Sequence, residues 1–217
     1  MPSIITAGDA SNGLVVASGN DGAVVIQSGL AGAKVAALSI AADGTPTYVA
    51  PTGAVAKAVA PIQLGTAVAT TSGTSIDFTG IPAGVKRVTV MFKQVSTNGA
   101  SNMQVQVGSG SISASGYISS TAAINLGTGQ GGSTTGLLVA NDLPAATNIT
   151  GFLVLSLFAS NQWAASGSCS YSTSVGAMLM SAGLSPALSG QLDRLRLTTQ
   201  GGTDAFDLGL VNISWEF

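Results

Sequence analysis

A single charged side chain, Asp142, stands between Lys93 and Asp193; the rest of that interval is mostly Gly, Ser, Thr, Asn, Gln and aliphatic residues. No convincing amphipathic helix can be read from such a stretch, and hydroxyls, amides or covering partners must supply the solvation that charge supplies elsewhere. Charged residues make up 7% of the 217, against about 25% in an average domain and roughly 25 to 35% on a surface that stays dispersed unaided. The chain has no His, one Cys and, in Glu216, one Glu. Catalysis by the common side chains is starved, which points away from an enzyme and toward a structural subunit.

The same composition excludes other classes. Hydrophobic residues at 46% are too many for a disordered chain. Seven basic and nine acidic residues are too few for a phosphate-tracking stripe or a polybasic membrane patch, so neither nucleic-acid binding nor membrane insertion is expected. The opening Met-Pro-Ser-Ile-Ile-Thr-Ala-Gly-Asp has no positively charged region of the secretory kind. The most apolar stretch, Gly151 to Ala159, is about half the length of a spanning helix. Cys169 stands alone, so no internal disulfide forms.

Up to Tyr48 there is no aromatic residue, and the next is Phe78. Fixing a residue's backbone costs about 1–2 kcal/mol, whereas burying an Ala methyl returns roughly 0.8 kcal/mol. The N-terminal third is therefore poorly equipped to hold a fold alone. Within it, Gly-Leu-Val-Val at 13–16 recurs as Gly-Ala-Val-Val at 22–25, and Asn12-Gly13, Asp21-Gly22 and Asp43-Gly44 are tight-turn signals. Short strands are predicted at 14–17, 23–27 and 34–41, their small side chains suited to a tightly interwound multichain β-structure. The proline-bounded segment 51–61 is a short helix or an extended connector. The expected organisation is an N-terminal attachment and oligomerisation segment at 1–50, a linker at 51–69 and a sandwich domain at 70–217.

Downstream the alternation lengthens. Val88, Val90 and Phe92 share one face, with Arg87, Thr89, Met91 and Lys93 on the other, a period of two. Met103, Val105 and Val107 alternate with Asn102, Gln104 and Gln106, and the two runs read as a hairpin across Ser96–Ala100. Further strands are predicted near 121–126, 136–141, 150–159, 163–173 and 191–199. Phe152–Phe158 is apolar on both faces, which places it centrally in a sheet. In the last strand Val211, Ile213, Trp215 and Phe217 share a face. The fold class is all-β: an N-terminal small-residue β-segment, then an antiparallel β-sandwich of the jelly-roll kind.

Few motifs carry chemistry. Gly127, Gly129 and Gly132 satisfy the spacing of a pyrophosphate cradle, but Ser133-Thr134-Thr135-Gly136 cannot open the helix that such a cradle needs, and a Gly-rich loop is the better reading. Without His there are no His-dependent triads and no His-ligated metals, and Cys169 has no imidazole to activate it. Asp9, Asp21 and Asp43 are turn residues, so no metal and no cofactor are expected. Asp204 and Asp207 are the nearest approach to paired carboxylates for glycoside hydrolysis; turn capping, or pairing with Arg194 and Arg196, competes with that reading. Trp163 and Tyr171, beside Asn161 and Gln162, would offer a flat platform for a glycan if exposed and would be core residues if not.

Three blocks, Ser-Ile-Ile-Thr-Ala-Gly-Asp-Ala-Ser-Asn-Gly-Leu-Val-Val-Ala-Ser-Gly-Asn-Asp-Gly at 3–22, Thr-Ser-Ile-Asp-Phe-Thr-Gly-Ile-Pro-Ala-Gly-Val-Lys-Arg-Val-Thr-Val-Met-Phe at 74–92 and Leu-Asp-Arg-Leu-Arg-Leu-Thr-Thr at 192–199, resemble tailed-bacteriophage virion proteins, particularly tail-fibre and fibre-like appendage subunits. The resemblance implies a homotrimer with a narrow virion-attachment part and an outward globular β-domain. It implies partners among other virion proteins, with a host-surface glycan as a further candidate, and localisation to the virion after synthesis in the host cytoplasm. The chain is short for a long fibre, so a capsid-decorating, head-fibre or collar position stands beside the tail. The family brings no fixed catalytic set to these residues.

Overall fold

Alternating β-branched and small residues, punctuated by glycine turns, give a chain built from antiparallel strands. A computed structural model describes residues 62–124, 130–172 and 177–217, and within residues 1–61 six strands. The chain divides into two units, Met1–Ala60 and Pro61–Phe217.

The first unit contains β1 (Ile5–Ala7), β2 (Leu14–Ser18), β3 (Val24–Ser28), β4 (Val35–Ile40), β5 (Pro46–Val49) and β6 (Val55–Lys57), each paired antiparallel with its sequence neighbour. The strands expected at 14–17, 23–27 and 34–41 are β2, β3 and β4. Every one of the six pairs within its own chain, through intervening segments of a few residues. The turn pairs Asn12-Gly13, Asp21-Gly22 and Asp43-Gly44, together with Asp9, lie outside the described residues.

The second unit holds two sheets. Its strands are β7 (Gln63–Leu64), β8 (Val68–Ala69), β9 (Ser75–Thr79), β10 (Arg87–Thr97), β11 (Met103–Ser109), β12 (Ser111–Ile112) and β13 (Ile118–Ile124). They continue with β14 (Gln130–Ser133), β15 (Leu137–Ala140), β16 (Ile149–Ala159), β17 (Gln162–Tyr171), β18 (Ala177–Leu184), β19 (Arg194–Thr199) and β20 (Phe206–Glu216). The larger sheet runs β14-β13-β18-β17-β16-β10-β20, with β7 and β8 both on the far edge of β20. The smaller runs β12-β11-β19-β9, with β15 also on β11. Residues 51–69, expected as a linker, supply β6 to the first unit and β7 and β8 to the second.

Period-two alternation decides what each sheet buries. Val88, Val90 and Phe92 of β10, Leu153 and Leu155 of β16, and Val211 and Ile213 of β20 point inward from the larger sheet. Ile76 and Phe78 of β9, Val105 and Val107 of β11, and Leu195 and Leu197 of β19 point inward from the smaller, and all belong to one core. Each such side chain contributes about 1.5–3 kcal/mol when fully withdrawn from water.

The hairpin expected across Ser96–Ala100 does not form. β10 pairs with β16 and β20 in one sheet, whereas β11 pairs with β12, β15 and β19 in the other. Two successive strands with one apolar face each can lie side by side or cross over and face one another through the core, and alternation is the same in both. The crossover is fastened by Asp204, whose Oδ2 accepts the Ser101 N–H at 2.8 Å, and by Asn98, whose Oδ1 accepts the Ala205 N–H at 2.9 Å. Register irregularities between Phe92 and Val95, and between Lys93 and Ser96, bend the end of β10 toward it.

Candidate functional site

Trp163 and Tyr171 both have odd positions in β17, and odd positions there face the core. Trp163 is 2% exposed and Tyr171 5%, so neither forms the flat platform that a sugar would stack on. The correction follows from strand parity: an aromatic on the inward face of a sheet that has a second sheet beneath it is withdrawn from solvent. The Trp163 backbone N–H donates to Ser185 Oγ at 2.9 Å, and Gln162 Nε2 donates to the Ser185 carbonyl at 2.9 Å, tying the start of β17 to the residue after β18.

The other sequence candidates separate in space and in role. Asp204 caps the crossover loop, and Asp207 accepts the Ser96 hydroxyl through Oδ1. Arg194 and Arg196 turn to different acids, Asp193 and Asp77. Cys169 is buried, and burial pushes its thiol up to about 12, so thiolate is scarce at neutral pH. Gly127 and Gly129 lie outside the described residues; Gly132 sits in β14, and β14 leads into strand β15 rather than into a helix.

What the two sheets present outward is more informative. The outer face of the smaller sheet is a polar ladder of three cross-strand rows. Gln106, Arg196 and Asp77 make the middle row, flanked by Gln104, Thr198 and Ser75 on one side and Gly108, Arg194 and Thr79 on the other; Gln104, Gln106 and Thr198 are buried, with Gln106 Nε2 donating to the Thr135 carbonyl, so Asp77, Thr79 and the two arginines are what the ladder presents to solvent. Arg196 donates from Nε and Nη2 to the two oxygens of Asp77, each at 2.7 Å. Arg194 forks onto Asp193 at 2.8 and 3.2 Å. The Arg196 hydrogen bonds hold the Asp77 carboxyl below its ordinary value of 3.8, and those from Arg194 do the same for Asp193. Two open cavities meet this ladder: one of about 350 Å³ bordered by Asp77, Thr79, Arg194 and Arg196, the other of about 290 Å³ bordered by Gln104, Gln106, Thr135 and Thr198. Two guanidiniums and two carboxylates cancel in charge. The surface therefore offers donors and acceptors to a hydroxyl-bearing neutral ligand more than it attracts an anion.

The outer face of the larger sheet is of the opposite character. One row crosses it through Asn212, Met91, Phe152, Ser168, Met180 and Ala122. Phe152 is 45% exposed, Met178 47% and Met180 53%, and Leu208, Leu210 and Phe158 are exposed as well. No charged residue occurs in β13, β14, β16, β17 or β18. Five strands of the charge-poor interval make up this part of the sheet, from β14 at its edge to β16 beside β10. A trough of about 550 Å³ lies over the same face, bordered by Ser120, Ala122, Gly132, Ser166, Met180 and Ala182.

Sequence reasoning missed β9, β14 and β18 of the second unit, with the short β7, β8 and β12, and both outward faces. The signals were present in the alternation of Arg194-Leu195-Arg196-Leu197 and of Met178-Leu179-Met180. What neither run carries is the identity of the neighbouring strand, which turns a few side chains into a surface. No protein-family model matches this chain, and neither a curated protein nor a solved structure does.

Proposed function

We propose that this chain is a non-enzymatic structural component of a tailed-phage virion, a homotrimeric fibre-like appendage held to the particle by its N-terminal part, with the C-terminal β-domain directed outward. The observation that carries this reading is the uncharged outer face of the larger sheet. An uncharged face that exposes Phe152, Phe158, Met178 and Met180 marks an interaction site rather than a solvated exterior, and a chain so poor in charge works by being covered. Decoration of the capsid, or a head-fibre or collar position, is the same function at another place on the particle.

Two further observations support it. Two of the three blocks that resemble virion proteins meet in space, because β9 from the 74–92 block pairs residue by residue with β19 from the 192–199 block. The strand order also fits a jelly roll, taking β9, β10, β11, β13, β14, β15, β16 and β19 as its eight strands in turn. The smaller sheet then reads first, eighth, third, sixth as β9-β19-β11-β15, and the larger reads second, seventh, fourth, fifth as β10-β16-β13-β14. On this reading β17 and β18 are a hairpin inserted between the seventh and fourth strands, and β20, with β7 and β8 beyond it, is added outside the second.

Size-exclusion chromatography with light scattering on the full chain is expected to give three times the chain mass at micromolar concentration. A clean monomer overturns the trimer. Immunogold labelling of intact particles is expected to decorate one structure, and label confined to infected-cell extract overturns the virion assignment.

A second reading, a lectin-like module, is favoured by the polar ladder on the smaller sheet. Its glycan contacts are Asp77, Arg194 and Arg196 in place of the buried Trp163 and Tyr171. A glycan array is expected to lose signal with Arg196→Ala, and a signal that the substitution leaves unchanged removes this reading.

A further inference from the structure

We propose that Asn98 is a self-modification site: the Asn98-Gly99 pair, at the crossover between the two sheets, converts in the folded chain to an aspartyl or isoaspartyl linkage with loss of ammonia, and the new carboxylate loosens the crossover. The proposal depends on neither the trimer reading nor the glycan reading.

Residue type makes the pair reactive. Attack of a backbone nitrogen on the preceding side-chain amide closes a small ring, and a reaction within one chain gains from partners that are already held together. A side chain on the attacking residue crowds that approach, and glycine has none. Asn102, Asn141, Asn148, Asn161 and Asn212 are followed by Met, Asp, Ile, Gln and Ile, so among the described residues only Asn98 precedes a glycine. At Asn212 the next N–H is also engaged, since Ile213 donates to Asn212 Oδ1 at 2.8 Å.

The fold adds to this. Asn98 is exposed, which gives water access to the amide. Its Oδ1 accepts the Ala205 N–H at 2.9 Å. Negative charge develops on Oδ1 as Cγ becomes tetrahedral, so this donor acts as an oxyanion hole does. The Asn98 N–H donates to the Ala205 carbonyl at 2.9 Å, and Thr97 Oγ1 donates to the Gly99 carbonyl at 3.1 Å, which fixes the main chain on either side of the reacting pair.

The atoms balance with water as the only co-reactant. The Gly99 nitrogen loses its proton to solvent and bonds to Asn98 Cγ, and the Cγ–Nδ2 bond breaks as Nδ2 takes up a proton and leaves as ammonia. Water then opens the cyclic imide, at Cγ to leave an aspartate or at the main-chain carbonyl to leave an isoaspartate. Either product places a carboxylate beside Asp204, which lies where a Cβ on Gly99 would be and accepts the Ser101 N–H at 2.8 Å. Like charges at one clasp repel. The isoaspartate also adds a methylene to the main chain where it passes from one sheet to the other.

The test incubates the full chain in heavy-oxygen water at mildly alkaline pH and reads the label at each asparagine by peptide mass spectrometry. Label is expected at Asn98 and many-fold less at Asn102, whose Oδ1 also accepts a backbone N–H, from Asp142 at 2.9 Å, but which Met103 follows. Asn98→Gln, which would have to close a larger ring, is expected to abolish the label at that position. Hydrogen exchange of the Ser101 and Ala205 amides is expected to quicken as conversion proceeds. Three results overturn the proposal: a native chain that keeps the Asn98 amide while the same chain unfolded in urea loses it, an Asn98 no faster than Asn102, or conversion that leaves exchange at Ser101 and Ala205 unchanged.

Discussion

Asp77 shows how a single pair can be legible in chemistry and illegible in partner. Its carboxylate sits between the two donors of Arg196, more than a hundred residues away in the chain, and the pairing lowers its pKa. A carboxyl whose native pKa is depressed stabilises the fold above its ordinary value and loses that contribution as pH falls through the lowered native value. Asp77 and Arg196 are both substantially exposed, so the pair is worth only about 0.2–1 kcal/mol. Asp77→Asn is expected to lower the melting temperature slightly at pH 7, and the gap should close on acidification below about pH 3.8. A gap that widens with acid would contradict the assignment. Gly209 is a second residue whose role is local. Its φ of 100° is one that side chains rarely adopt, and a Cβ there would strike the Gln94 carbonyl at the β10 irregularity. Gly209→Ala is expected to destabilise by about 1–3 kcal/mol or more in chemical denaturation, and a neutral result would mean that β10 and β20 are freer to shift than their register implies.

At the scale of elements, alternation told which side chains share a face and left open which strands share a sheet. In β10 and β20 the inward sets Val88, Val90, Phe92 and Val211, Ile213 were readable directly. The supposed β10–β11 hairpin was not a hairpin, because an apolar face is satisfied equally by a neighbour alongside or a sheet opposite. β16 was correctly central, between β10 and β17. Its two apolar faces nevertheless differ, with Leu153 and Leu155 in the core and Phe152 and Phe158 exposed. That difference predicts a contrast measurable by denaturant unfolding. Leu155→Ala is expected to cost about 2–5 kcal/mol, while Ser156→Ala, one position on and facing out, should stay within about 0.5 kcal/mol. Equal effects would mean that strand parity does not separate a core face from an outer face in β16.

At the scale of the whole molecule, the charge-poor interval and the exposed apolar face are one property seen twice. On the trimer reading, a shortage of charge is tolerable because assembly covers the surface that would otherwise need it. The assembly is then expected to resist salt: raising ionic strength from low to molar concentration should leave the light-scattering mass unchanged or favour the trimer, since apolar burial is not screened as ion pairs are. Dissociation by salt would point to Arg87, Lys93 or Glu216 as the true determinants. The amino-acid order by itself determined the all-β class, the inward face of the long strands and the scarcity of reactive groups, because these depend on residue type and on a period of two within one strand. Only the tertiary structure decided that Trp163 and Tyr171 are core, that Arg196 meets Asp77, and that Phe152 and Met180 share a row. Each of those depends on which distant strand lies alongside, and strand pairing is chosen by the packing of the whole core rather than by any one segment.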